Sequence, residues 1–292
     1  MKTAPAPHLY ERQGAYLPRV AAVHDLCGYG KCSLGIAIPV LSAAGIDVCA
    51  VPTSLFSAHT LFPDFYMHDT TTMLTPYLDA WKRHGVELDG IYSGFLGSAE
   101  QVGIIRRLYA DYPNALRIVD PVMGDGGAPY PTYTEEMCEA TRALVSGADV
   151  LTPNLTEASI LTGIAYEGQD VSEDYVRAVC DRLLEMGAKS VVLKGVVRKG
   201  QDVIRNYVAT PAESATREIA GELLPFMLHG TGDLFASGLT AAIFCGRGLV
   251  EAASFAGGLV RDAMAITRDQ PDYKMRGVSF ESVLGDVTDL LR

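Results

Sequence analysis

The sequence predicts one α/β domain built on a mostly parallel central sheet with helices on both faces. Three observations carry this. Short β-rich runs alternate with helical stretches from Arg19 onward, and strands separated by helices of this length require βαβ crossovers. The run from Ser190 to Lys194 is apolar along Val191, Val192 and Leu193, as in a strand covered on both sides. The polar and glycine-rich segments at 25–33, 93–98, 120–127, 153–157 and 229–233 follow strand candidates, where ligands sit in such sheets.

Arg19 to His24 reads as the first strand, and Ser33 to Ala44 as a helix closed by Gly45. Ile46 to Thr53 is the next strand. Met73 to His84 has helical spacing and stops at Gly85. Gly90 to Ser93 is a short strand and Ala99 to Asp111 a helix. Leu116 to Asp120 is strand-like, stopped by Pro121. Glu135 to Ser146 is a helix, Asp149 to Thr152 a strand, and Val171 to Met186 a helix ending at Gly187. After the strand at 190–194, Asp202 to Thr210 and Thr216 to Ala220 are expected to pair antiparallel. Helices over Thr231 to Cys245 and Leu249 to Thr267 close the chain. No linker or internal repeat interrupts 19–292, which is read as one domain; residues 1–18 are read as a lead-in, flexible or extending the first strand.

Composition narrows the function. The 292 residues are 48% hydrophobic, ample for one large core. The net charge is −11 and no basic cluster exceeds a pair, so nucleic acid is not an expected partner. No apolar run approaches the roughly 20 residues of a membrane span, and the amino terminus has no apolar signal region. The six cysteines are scattered with no C-x-x-C pair, which predicts reduced thiols in the cytoplasm and no zinc site.

The first glycine-rich turn, DLCGYGKCSLG, fits neither common nucleotide motif. Asp25 stands where a phosphate-binding loop needs its first Gly, and Ser33 where a dinucleotide fingerprint needs its third. It reads either as a tight turn with Ser33 as helix N-cap or as the lining of a substrate pocket. The segment LHGTGDLFASGLTAAIF is more informative. Gly230 and Gly232 let backbone approach a ligand, and the helix that follows points its first N–H groups at an anion. Asp233, in the first helical turn, is either a dipole-compensating residue or a base for an attacking hydroxyl. Asp120 and Asp125, after a strand, suit Mg²⁺ directly or through water. Asn154 and Glu157 form either a capping box or a pair facing a ligand, and both readings can hold together. Lys194 ends an apolar strand and can neutralise phosphate charge. No H-E-x-x-H and no G-x-S-x-G occurs, which removes support for a zinc protease or a serine hydrolase. Gly124 to Tyr133, rich in Gly, Pro and Tyr, is expected to be a flap that keeps water from the nucleotide.

The set SGFLGSAEQ (93–101), DPVMGD (120–125), TPNLTEA (152–158), VVLKG (191–195) and HGTGD (229–233), with DLCGYGKCSL and VPTSLFSAHT before them, resembles the pyridoxal/pyridoxamine kinases of the ribokinase superfamily over about 19–268. The resemblance implies a ribokinase-like three-layer sandwich, usually a homodimer. It implies ATP-dependent phosphorylation of the 5′-hydroxymethyl group of a vitamin B6 vitamer, with Mg²⁺ and room for a monovalent cation. By this resemblance Asp233 is the general base, and Gly230, Thr231 and Gly232 form the anion hole. Asp120, Asp125 and Glu157 lie near Mg²⁺ and phosphate, and Asn154, Lys194, Glu157 and Asp120 on the nucleotide side. Thr53 lies near the pyridine ring. His24 or Asp25 stands where many relatives have Ser, and Phe95 where many have Tyr, so these three are expected to shape ring recognition. A kinase of hydroxymethylpyrimidine and a non-catalytic B6 or nucleotide sensor share the fold as alternatives; the glycine spacing makes a nicotinamide oxidoreductase remote.

Overall fold

A computed structural model describes residues 8–213 and 215–292. The chain runs β1 (Arg19–Cys27), α1 (Leu34–Ala43), β2 (Asp47–Phe56), β3 (Met67–Asp69), α2 (Thr71–Arg83), β4 (Gly90–Ser93), α3 (Ala99–Asp111) and β5 (Leu116–Val119). A small hairpin follows, β6 (Gly124–Asp125) with β7 (Ala128–Pro129), then α4 (Glu135–Arg142), β8 (Val150–Leu151), α5 (Leu155–Thr162), α6 (Glu173–Glu185) and β9 (Val191–Val197). The last elements are β10 (Val203–Ala209), β11 (Arg217–Glu222), α7 (Thr231–Phe244), α8 (Leu249–Thr267) and short helices α9 (Tyr273–Arg276) and α10 (Leu284–Asp289) flanking a 3₁₀ turn (Phe280–Val283).

The main sheet has the order β11-β10-β9-β8-β5-β4-β1-β2-β3. Its middle, from β9 to β2, is parallel, while β3 at one edge and β10–β11 at the other are antiparallel. Helices α2 to α6 cover one face and α1, α7, α8 and α10 the other. Alternation along β1 serves both layers: Ala21 and Val23 join the first core and Val20 the second. This is the ribokinase-like architecture that the sequence implied.

Helix α7 is the buried centre of the second layer. All residues from Leu234 to Phe244 are buried, as expected of a helix apolar around its whole circumference. Gly238 lets α8 approach closely: a Cβ there would sit 3.0 Å from Leu259. At the far end the Phe244 ring fills the space above Gly90 of β4, where a Cβ would overlap it, and stacks against Tyr10 with centroids 4.7 Å apart. The first turn of α7 is therefore held by packing along its full length.

Several expectations are corrected. Ser33 takes the N-cap place of α1 but makes no side-chain cap; its backbone has φ +49°. The helix at 135 stops at Arg142, and three short helical segments follow Thr267 where the sequence suggested none. Within the expected lead-in, residues 1–7 lie outside the described residues. Arg12 donates to the carbonyls of Ala44 (2.9 Å) and Gly45 (3.0 Å), and Tyr16 to Asp89 (2.9 Å). The 8–18 segment is thus tied to the domain by side-chain contacts. Truncating Phe244 to Ala should remove the wedge between α7 and β4 and destabilise the fold by about 3–5 kcal/mol. Urea unfolding checks this.

Candidate active site

The candidate site lies past the carboxyl ends of β5 and β8, beside β9, where it meets the start of α7. Asp120 follows β5, and its buried Oδ1 is bound by the Lys194 ammonium and by the Thr152 hydroxyl (2.9 Å). Asn154 and Glu157 open α5 as a full capping box: Asn154 accepts from the Glu157 N–H (2.8 Å), and Glu157 Oε2 accepts from the Asn154 N–H (2.7 Å). The Met123 N–H also donates to Glu157 (3.3 Å). Burial pushes the Glu157 carboxyl well up, with Asp120 adding to this against Lys194. For Lys194 burial pulls downward, but Asp120 and Glu157 outweigh it and hold the ammonium charged.

The α7 start is shaped by close backbone crossings. Gly230 has φ +84°, and a Cβ there would overlap the Lys31 carbonyl. Gly277, with φ +85°, passes His229 so closely that a Cβ would lie 2.8 Å from its carbonyl, and Val278 N–H donates to that carbonyl (3.0 Å). Residues 230–233, the first glycine-rich turn and the 275–278 segment are thus locked together. No side chain caps α7; the Thr231 hydroxyl turns back to the Leu228 carbonyl (3.1 Å). The first N–H groups of a fourteen-residue helix are left for a ligand. A Cβ on Gly232 would lie 3.7 Å from Lys194 Nζ, so a cation stands beside the same turn.

Asp233 is part-buried on that first turn. Burial pushes its carboxyl up to about 7, opposed by the Ser33 backbone N–H; Asp120 and Asp25 add to the rise and Lys194 opposes it. Asp25, expected at the substrate ring, has both oxygens engaged by the protein: Oδ1 accepts from the Ser33 hydroxyl (2.5 Å) and Oδ2 from the Cys27 thiol (3.4 Å).

The structure brings Asp120, Glu157, Lys194 and Asp233 together, with Gly230, Thr231 and Gly232 at the turn. The other expected residues sit in the elements around it. His24 is fully buried in the core, edge-on to Tyr92 at 4.3 Å and pressed against Gly94, where a Cβ would overlap it. Desolvation lowers its pKa to about 3, so the ring is neutral, and neither buried ring nitrogen has a hydrogen-bond partner among the described residues. Phe95 packs between the rings of Phe56 and Tyr133. Thr53 is buried, and its hydroxyl donates to the Phe95 carbonyl (2.8 Å). Asp125 is exposed on the hairpin and accepts from Gly126 N–H (2.7 Å). Asn154 holds that hairpin through Gly124 O (2.9 Å).

The sequence model of phosphomethylpyrimidine kinases matches residues 39–276. The chain belongs to the phosphomethylpyrimidine kinase family. Among family relatives, the chain is 33% identical to a pyridoxine/pyridoxal/pyridoxamine kinase of Bordetella avium, over 85% of both chains. It is similar to a candidate phosphomethylpyrimidine kinase of Bacteroides thetaiotaomicron solved in a crystal form with pyridoxal: TM-score 0.88, 32% identity, 93% of this chain and 96% of that one. A pyridoxal kinase of Lactobacillus plantarum matches with TM-score 0.86 and 29% identity over 94% and 98% of the two chains.

For this family member, sequence reasoning missed Tyr130. Burial raises its phenol above the usual range, and Glu157, Asp125, Asp233 and Asp120 all act on it. Tyr130 follows β7 directly and keeps 39% of its surface exposed. The only sign of it in the sequence is its place in the Gly-, Pro- and Tyr-rich flap segment. Gly230→Ala should disturb the turn twice, through positive φ and through the Lys31 overlap, at about 1–3 kcal/mol for the backbone conformation alone. A lower melting temperature with weakened nucleotide binding checks this.

Proposed function

We propose that this protein is an ATP-dependent kinase that phosphorylates the 5′-hydroxymethyl group of a vitamin B6 vitamer. The observation that carries it is the α7 start: an uncapped helix N-terminus, the Lys194 ammonium beside Gly232, and a carboxylate on the same turn. An Asp with its pKa raised towards neutrality suits general-base work.

The chemistry follows from these groups. The γ-phosphate of ATP lies at the 230–233 N–H groups, and the substrate alcohol lies beside Asp233. Asp233 takes the hydroxyl proton as the oxygen attacks phosphorus in line; the bond to the β-phosphate oxygen breaks and ADP leaves. The backbone N–H groups and Lys194 hold charge on the transferring phosphoryl, so catalysis is mostly positioning and electrostatics. Removal of one such donor costs roughly 10²-fold or more.

The carboxylates fit Mg²⁺ bound chiefly through water. Glu157 already accepts two backbone N–H groups, and Asp120 Oδ1 is taken by Lys194 and Thr152. When bound, Mg²⁺ neutralises phosphate charge there. Asp125 would join through water from the hairpin, which we assign as the flap. Asn154 would act on the nucleotide side through its hold on that hairpin.

The pyridine substrate is supported by the name of the Bordetella relative and by the Bacteroides structure with pyridoxal. The family description names phosphomethylpyrimidine kinases, which supports a pyrimidine, hydroxymethylpyrimidine among them, as the second substrate reading. Exposed Leu55, Leu61 and Tyr66 near the β3 edge support a homodimer. Six free cysteines among the described residues support a reducing cytoplasm. No described helix is long and apolar enough to cross a membrane.

Asp233→Ala should lower kcat by roughly 10²–10⁴-fold while ATP affinity, read by calorimetry, stays within a few-fold. The ionised carboxylate is the active form, so kcat/KM should rise with pH and level off above about 7. A flat profile from pH 5 to 8 would count against the base. In a panel of pyridoxal, pyridoxamine, pyridoxine and hydroxymethylpyrimidine, a B6 vitamer should be turned over fastest. Turnover of the pyrimidine alone would overturn the substrate assignment.

A further inference from the structure

The passage from β1 to α1 gathers three groups that the proposed reaction leaves unused. Cys27 ends β1, Asp25 lies two residues before it on the same strand, and Cys32 stands just ahead of α1. The glycine-rich turn between the cysteines folds them back on each other. Asp25 Oδ2 accepts from the Cys27 thiol at 3.4 Å, and a carboxylate oxygen of Asp25 and the two sulfurs all lie within 4.8 Å of one another. All three residues are buried, Asp25 at 5%, Cys27 at 9% and Cys32 at 4% exposure. No other three His, Cys, Asp or Glu ligand atoms come as close among the described residues. The pocket also lacks a cation. A buried carboxylate is costly unless a positive charge pairs with it, yet among the described residues no ion pair reaches Asp25, which is bonded by the Ser33 hydroxyl and the Cys27 thiol. Lys31, in the same turn, points away to Glu281 (2.7 Å) and Ser279 (3.2 Å).

We infer that Asp25, Cys27 and Cys32 form a site for one Zn²⁺, bound through Asp25 Oδ2 and two thiolates with one position left to water. Tetrahedral zinc, with Zn–S near 2.3 Å and Zn–O near 2.0 Å, sets sulfur and oxygen ligands roughly 3.5 Å apart, which is the length of the Asp25–Cys27 contact. Each thiol gives up its proton to water on binding, and the ion replaces the S–H donor beside Oδ2. The Ser33 hydroxyl, 2.5 Å from Oδ1, then orients the ligating carboxylate from behind. Two thiolates select zinc over Mg²⁺, so this site differs in kind from the carboxylates on the phosphate side.

The missing C-x-x-C pair pointed away from zinc in the sequence, but the pair at 27 and 32 is a C-x₄-C, still within the spacings that zinc sites use. The turn that joins the two cysteines is held in place without the ion: Gly28 N–H donates to the Phe56 carbonyl (2.8 Å) and Lys31 N–H to the Arg276 carbonyl (3.0 Å). The ion would tie the end of β1 to the start of α1, directly behind the Lys31 carbonyl that lies against Gly230. It therefore acts as a brace for the wall of the anion turn. This assignment does not depend on Asp233 being the base.

The test is titration of the full chain, reduced and stripped with a chelator, with Zn²⁺ by calorimetry and with Co²⁺ by absorption, both in excess Mg²⁺. One ion per chain should bind, with thiolate-to-cobalt charge-transfer bands, the d–d bands of a tetrahedral site and a raised melting temperature. Cys27→Ser and Cys32→Ser should each weaken Zn²⁺ by more than the roughly 10–100-fold that loss of an outer partner costs, and Asp25→Asn should weaken it too. Cys138→Ser and Asp233→Ala should keep the ion. The same cysteines changed to Ala, with metal-free melting temperatures, separate a lost ligand from a lost fold. Absence of binding overturns the site and leaves two thiols packed as small apolar groups. Binding without thiolate bands, bands that persist in both Cys27→Ser and Cys32→Ser, or an ion lost in Asp233→Ala while the cysteine variants keep it, overturns it as well.

Discussion

The site depends on one constraint: a carboxylate, a cation and uncapped backbone amides share the first turn of a buried helix. Each is uncomfortable there by itself. Burial resists the Asp233 charge and the Lys194 charge alike. The N–H groups of a helix end want an acceptor. They persist because α7 cannot retreat; it is packed from Leu234 to Phe244 and pinned at Gly230 against Lys31. Stability of the second core layer and readiness for phosphate are thus properties of the same helix.

The two sides of the site are built by different means. Around Asp120 and the start of α5, ionic and capping contacts do the positioning: Lys194 with Asp120, Thr152 with Asp120, and Asn154 with Glu157. Of the two readings that the sequence left open for Asn154 and Glu157, the capping box is formed in full, and the ligand-facing one belongs to the proposed function. On the other side, close backbone crossings shape the α7 start, and Asp25 holds the Ser33 hydroxyl.

How much was legible follows from how local each signal was. Gly90–Ser93, Ala99–Asp111 and Leu249–Thr267 match the sequence reading in both bounds, because apolar spacing marks them; Ser98 also caps α3 by accepting from Gln101 N–H. The anion turn was legible from two glycines before an apolar helix. β3 and the short segments after Thr267 were not, since three to six residues carry no period to read. Strand alternation sets His24 on the same face as Val20, against Tyr92, which its place in the strand run could show. Phe95 and Thr53 are taken up by packing and by a buried hydrogen bond. The Ser33 conformation had no local sign, because a serine after a glycine-rich turn reads as an ordinary N-cap.

The most direct measurement is a crystal structure with a non-hydrolysable ATP analogue and pyridoxal bound together. The terminal phosphate is expected within hydrogen-bonding distance of the 231–233 N–H groups and of Lys194 Nζ, with the hydroxymethyl oxygen between that phosphate and Asp233. A triphosphate bound away from the α7 start, or an alcohol out of reach of Asp233, would contradict it.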